Sequence, residues 1–189
     1  MDFLELAKNR YSVRKFKAQK VEKEKLDLIL EAGRIAPTGC NYQPQRILVI
    51  DDEALILKLK ACTNYTFGAP VVLMVCYDSS TCWKNATNNV MGGEQDACIV
   101  TTQMMLEAAY LGLGSTWVGG FDLPTLRKLF EIPEYLVPVA LLPLGYPADD
   151  AHPAHLHDKR YDMEHFVYYN SFDGLEEGKP HPAMKFEVK

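Results

Sequence analysis

No apolar run reaches the roughly 18 residues of a membrane span, so no stretch of this sequence is expected to cross a bilayer. The first residues, Met1-Asp2-Phe3-Leu4-Glu5-Leu6, lack the charged-then-apolar order of a secretion signal, and the expectation is a cytoplasmic protein. Positive charge is in short supply. Twenty Lys and Arg against 25 Asp and Glu leave a net charge of -5, with no basic stripe, which argues against DNA or RNA as a partner. The five cysteines, Cys40, Cys62, Cys76, Cys82 and Cys98, are an odd number without a Cys-x-x-Cys pair, so a disulfide framework is not expected. Phosphate-holding glycine motifs are missing too: neither Gly-x-Gly-x-x-Gly nor Gly-x-x-x-x-Gly-Lys-Ser/Thr occurs, so neither a Rossmann dinucleotide site nor a nucleoside triphosphate loop is supported. A Gly-x-Ser-x-Gly elbow is absent, as are internal repeats and any linker long enough to divide domains.

What is present can build a core. The 189 residues are 48% hydrophobic, enough for one domain that buries roughly 70% of the surface its unfolded chain exposes. The organising stretch is Gly93 to Phe121, a long helix over Glu94 to Leu113 that ends at Gly112 and Gly114 and leads to the turn Trp117-Val118-Gly119-Gly120-Phe121. Ile99, Thr102, Leu106, Ala109 and Leu113 recur at helical spacing, with Val100, Met104, Ala108 and Leu111 on the flank. A helix apolar over most of its circumference belongs inside a large core or in a subunit interface. Within it Cys98 reads as a small buried thiol.

Other elements carry their own signals. Asp2 caps a short helix to Lys8 or Asn9, and Val21 to Ala36 is an amphipathic helix with Leu26, Ile29, Leu30 and Gly33 inward, closed by Pro37. Strands are expected at Ile47–Ile50, Val71–Tyr77, Ser115–Val118 and Val137–Leu144, with helices starting at Asp51 or Asp52 and at Asp122. Asp78 to Val90 reads as a polar surface loop, and Asn170 to Lys189 has no strong period. Helix and strand alternate, which by itself suggests a doubly wound parallel sheet.

Three segments could carry chemistry. In an extended Arg10-Tyr11-Ser12-Val13-Arg14, alternation turns Arg10, Ser12 and Arg14 to one side, where two guanidinium groups and a hydroxyl could grip a phosphate. A solvated basic turn is the plain alternative. Pro37-Thr38-Gly39-Cys40-Asn41-Tyr42-Gln43-Pro44 is dense in turn formers and amides, fit either to read a polar heterocycle or to bond to itself. His152, His155, His157 and His165 lie among Asp150, Asp158 and Asp162, but irregular spacing fixes no metal geometry and solvated loop histidines explain them as well.

Taken together, the Arg10–Arg14, Ala36–Pro44 and Gly112–Phe121 segments, in this order and spacing, resemble the FMN-dependent nitroreductase family over about residues 1 to 165. The resemblance implies an α+β fold with a mostly antiparallel central sheet flanked by helices, which displaces the parallel arrangement. It also implies an intertwined homodimer with the long helix at the interface and two FMN sites formed by both chains. Residues 1–169 would be one FMN-binding domain, and 170–189 a tail, disordered or packed on the partner. Carried over by motif, Arg10 and Ser12, with Tyr11 between them, would hold the FMN phosphate, and Arg14 the ribityl chain or pyrimidine edge. Pro37, Thr38 and Gly39 would lie along the ring, with Asn41 and Gln43 as amide contacts often supplied by the partner. Gly119 and Gly120 would bring backbone to N5 and O4, and Arg160 of the Lys159-Arg160 pair would complete the phosphate site.

The implied activity is a ping-pong NAD(P)H oxidoreductase: NADH or NADPH docks transiently, gives hydride to flavin N5 and leaves, and a nitroaromatic, quinone or similar acceptor takes its place. No metal and no side-chain acid or base is called for. Gln45 follows Pro44 where the family often has Trp, the approach to Lys159 is unusually rich in His, and Asp78 to Gly92 carries no motif that names a substrate. The rival readings are a non-enzymatic flavin or anion binder, a related flavoenzyme such as a reductive dehalogenase, and a zinc protein built on the histidines.

Overall fold

The computed structural model describes residues 2–175, which form two units divided after Ala154. The first contains every regular strand and long helix. Asp2 accepts the Glu5 N–H at 2.9 Å and so starts α1 (Phe3–Asn9). Next come α2 (Lys23–Arg34), β1 (Gln45–Ile50), α3 (Glu53–Lys58), β2 (Val71–Asp78), α4 (Gly93–Tyr110), β3 (Gly114–Ser115), α5 (Leu123–Leu129) and β4 (Leu136–Gly145). Asp52 and Asp122 cap α3 and α5 by accepting from Leu55 and Thr125.

The sheet runs β1-β2-β4-β3, and every pair is antiparallel. This overturns the parallel sheet that helix–strand alternation suggests and agrees with the α+β expectation. β2 explains why alternation misleads. Six consecutive residues from Val71 are buried, a run typical of parallel sheets, because this antiparallel sheet is covered on both faces. Val71, Leu73 and Val75 meet Ile29 of α2 and Ala97, Val100, Met104 and Ala108 of α4. Val72, Met74 and Cys76 meet Leu59, Val118, Leu126 and Leu141 on the other face. Burying each large side chain of these two layers contributes about 2 kcal/mol.

The central helix is shorter than its apolar pattern suggests and has two faces. Asp96, Ala97, Val100, Thr101, Met104 and Ala108 are buried against the sheet and α2. The opposite stripe is uncovered within the chain: Ile99 is 41% and Tyr110 61% exposed, Thr102 is exposed, and Cys98, Leu106 and Ala109 are half-buried. Cys98 is therefore not the buried core thiol the sequence suggests. The helix ends in a Schellman motif. Gly112 at φ 77° donates to Ala109 O (3.1 Å) and Leu113 to Ala108 O (2.8 Å), a conformation where a Cβ is costly. Lys25 ties this end to α2 by donating to Leu111 O (3.1 Å) and to the Tyr146 hydroxyl (2.9 Å), which donates to Glu22 (2.7 Å).

The second unit, described through Leu175, is a series of turns with one short helical turn, Met163–His165, and ring contacts Tyr161–His165 and Tyr168–Phe172. The tail expectation for 176–189 lies outside the described residues.

Candidate functional site

The sheet edge beside β3 receives the arginine-bearing segment. Val13 is 1% exposed and donates its N–H to Ser115 O at 3.0 Å, while Ser12 forms a parallel bridge with Ser115. Gly114 makes the fit possible, since a Cβ there would stand 2.5 Å from Val13 Cγ2. Further along, Lys17 donates to Tyr146 O (2.9 Å), Ala148 donates to Lys15 O (3.0 Å), and the Lys15 ammonium bonds Asp150, holding that carboxyl below its ordinary range. With Val13 turned into the core, alternation sends Ser12 and Arg14 the other way. Arg14 is exposed, and its Nη1 donates to Ser12 O at 3.4 Å. Arg10 is half-buried as the C-cap of α1, and the Tyr11 hydroxyl donates to Ala151 O at 3.4 Å.

Gly119 lies only four residues beyond Ser115, a path of about 13 Å at most. Val118 exchanges two 2.9 Å hydrogen bonds with Leu141, and the chain then leaves the sheet. Thr63 holds the bend by donating Oγ1 to Gly120 O at 2.8 Å. Both glycines are exposed and neither has a left-handed φ. A Cβ on Gly119 would meet nothing nearer than Trp117 Nε1 at 4.0 Å; one on Gly120 would stand 3.3 Å from the Tyr65 ring. The polypeptide thus gives no internal reason for glycine at 119, and the open space beside it faces outward.

The loop after α2 bonds to itself and is also clamped from outside. Thr38 accepts the Gln43 N–H on Oγ1 (3.1 Å) and the Asn41 N–H on its carbonyl (3.0 Å). Cys40, Asn41 and Gln43 take φ of 49°, 56° and 51°, left-handed values that cost a non-glycine residue on the order of 1 kcal/mol each. Such strain collects at ligand clamps and requires support from the surroundings. Here the Asp96 carboxylate accepts the Gly39 N–H at 2.8 Å, and Trp83 packs on Gly39. Pro37, Asn41 and Gln43 are exposed, Thr38 and Gly39 half-buried. Of the two readings of this loop, self-bonding holds for Thr38 and also for Gln43, whose Nε2 donates to Asn41 O at 3.4 Å, while the Asn41 amide is exposed.

Arg160 lies in the second unit, where its guanidinium donates to His157 O (2.5 Å) and Lys159 O (2.7 Å) of its own turn. Among the described residues no group of three or more His, Cys, Asp and Glu could hold a metal ion, so the zinc reading lacks support. Asp96, Trp83, Thr63 and Ser115 join the site neighbourhood without having been singled out in the sequence. Asp96 left a signal: it is a lone carboxylate four residues before Val100, on the stripe that the helix buries.

The profile described as "Nitroreductase family" matches residues 7–64 and 58–146, and a protein of Methanothermobacter thermautotrophicus, provisionally named NADH dehydrogenase/NAD(P)H nitroreductase, is 34% identical over 158 residues, 79% of this chain and 80% of that protein. The chain belongs to the nitroreductase family. Among solved structures, a nitroreductase family protein from Clostridium difficile 630 is 40% identical with a TM-score of 0.85, covering 90% of this chain and 99% of that one. An FMN-dependent nitroreductase from Clostridium difficile R20291 is 26% identical with a TM-score of 0.73, covering 90% of this chain and all of that one. The nitroreductase fold, an α+β arrangement, is common to all of them.

Proposed function

We propose that this nitroreductase family member is an FMN-dependent NAD(P)H oxidoreductase that passes electrons to a small acceptor such as a nitroaromatic or a quinone. The single observation that carries the reading is the seating of Arg10–Arg14 on Ser115, a few residues before a bend whose glycine the chain itself does not require. The donor set fits the cofactor. Two guanidinium groups and a hydroxyl on one short segment suit a phosphate dianion, which favours charge-assisted and bidentate hydrogen bonds. The space outside Gly119 suits a flat ring approaching the backbone.

Bound FMN supplies two-electron chemistry between the nicotinamide donor and the acceptor. The protein's part is positional. Arg10 and Ser12 hold the phosphate, with Tyr11 fixing the backbone between them. Arg14 brings positive charge toward the pyrimidine edge or ribityl chain and favours negative charge developing there. The Pro37–Gly39 segment, with Asn41 and Gln43, orients the ring, and Gly119 and Gly120 allow its closest approach.

The uncovered stripe of α4 supports a homodimer, because Ile99, Leu106, Ala109 and Tyr110 form an apolar face that a second copy would bury. On this reading the first unit carries the FMN-binding segments and the protein works in the cytoplasm. The test is FMN content after purification and reconstitution. Wild type is expected to carry near-stoichiometric FMN, and Arg10→Ala with Arg14→Ala to lose most of it while remaining folded; full retention by the double variant refutes the assignment.

A further inference from the structure

Two elements distant in sequence close on one amide of the loop after α2. Asp96, in the first turn of α4, is 3% exposed and accepts the Gly39 N–H across 57 positions of sequence at 2.8 Å. From another side comes Trp83, set in the polar stretch between β2 and α4. A Cβ on Gly39 would stand 3.1 Å from its Cβ and 3.4 Å from its Cγ, and one on Gly92 would stand 3.0 Å from its Cε3. Trp83 O also accepts the Gly92 N–H at 2.8 Å, so the indole is fixed to the start of α4. Gly39 is thereby held between a carboxylate and a ring that belong to the same corner of the fold.

This clamp stands behind the strained part of the loop. Cys40 and Asn41 follow Gly39 directly in left-handed conformations, and Gln43 is the third such residue. Left-handed backbone at several non-glycine residues persists only where neighbours over-determine it. Thr38 accepts two of the bonds the loop makes to itself; Arg46 Nη1 donates to Gln43 O (3.2 Å) and the Asp78 N–H to Pro44 O (2.8 Å) at its far end, and the anchor at Gly39 ties its near end to α4.

Asp96 is an unfavourable choice for packing alone. Its Oδ2 is buried without a hydrogen-bond partner, and a buried unpaired carboxylate oxygen costs folding free energy that an apolar side chain would not. The helix N-terminus eases that cost but gives no reason for a carboxylate at this depth. The Gly39 bond does.

We propose that Asp96 is a positioning residue for flavin: through Gly39 it sets the backbone of the Pro37–Gln43 loop that lies along the ring. The assignment rests on the flavoenzyme reading above and adds a residue to it, one that touches neither cofactor nor substrate.

The experiment is FMN titration of apoprotein, by flavin fluorescence quenching, for wild type, Asp96→Asn and Asp96→Ala, with the thermal midpoint of each apoprotein measured alongside. Asn keeps Oδ1 as an acceptor for the Gly39 N–H, whereas Ala removes it. Asp96→Ala is expected to bind FMN about tenfold more weakly or worse, and Asp96→Asn to stay within about threefold of wild type, whatever the order of their thermal midpoints. A residue that merely stabilised the core would give affinities that track the midpoints, without rescue by Asn. Affinity of Asp96→Ala equal to wild type, or Asp96→Asn as weak as Asp96→Ala, overturns the role. Should Asp96→Ala fail to fold, Asp96→Asn and amide exchange decide: the Gly39 N–H is expected to exchange slowly in both wild type and Asp96→Asn, and fast exchange in wild type overturns the anchor. Wild-type protein that binds no FMN sinks the flavoenzyme reading and this role together, whereas normal wild-type binding with an indifferent Asp96→Ala sinks this role alone.

Discussion

At the scale of single residues, the contrast between Gly114 and Gly119 separates what folding needs from what a ligand needs. A Cβ at 114 collides with buried Val13, so that glycine serves the fold. A Cβ at 119 meets open space on a backbone any residue can adopt. Gly119→Ala is therefore expected to move the thermal midpoint of the apoprotein by no more than about 2 °C, as exposed substitutions do, while weakening FMN binding about tenfold or more. Calorimetry and flavin titration on the same sample check it; unchanged FMN affinity contradicts the assignment of the bend. Residue identity alone could not separate these two glycines. The common side of Ser12 and Arg14 was legible because the period of an extended segment is two, and Val13 does turn into the core between them. Asp96 was not, since its partner Gly39 is 57 positions away and no local pattern links them.

Among the elements, the caps were the easiest to read. Asp2, Asp52 and Asp122 each bond the N–H three residues on, as short polar side chains before an apolar run should. The stop of α4 at Gly112 is equally local. Replacing Gly112 by Ala puts a Cβ into a left-handed conformation and is expected to cost about 1 kcal/mol, a drop of roughly 2–4 °C in thermal midpoint, with FMN affinity unchanged because the site lies elsewhere. A midpoint equal to wild type would show that the Schellman turn is not strained by a side chain. Strand direction was not legible from local pattern. A strand buried on both faces reads as continuous apolar residues whether its neighbours run parallel or antiparallel, and only the resemblance between the three motif segments and a known family gave the direction. The polarity of Asp78 to Val90 suggested a surface loop, which holds for most of it, but Trp83 turns back to pack on Gly39 and Gly92.

For the whole molecule, one fact about α4 organises the rest: its sheet side completes a core, while Ile99, Thr102 and Tyr110 remain exposed on the other. If, as proposed, the protein is a homodimer whose two FMN sites are formed by both chains, that face must meet a second copy. Wild type should sediment as a dimer, and Ile99→Asp, which places a charge where the single chain already meets solvent, should sediment as a monomer, stay folded and lose FMN. A wild type that is monomeric at micromolar concentration would contradict the shared site. An anaerobic NAD(P)H titration of FMN-loaded protein, followed by addition of menadione, checks whether this nitroreductase family chain takes electrons from a nicotinamide through bound FMN, as proposed. The visible flavin band is predicted to bleach with about one equivalent of NADH or NADPH and to return when menadione is added; a flavin band that neither donor bleaches would contradict it.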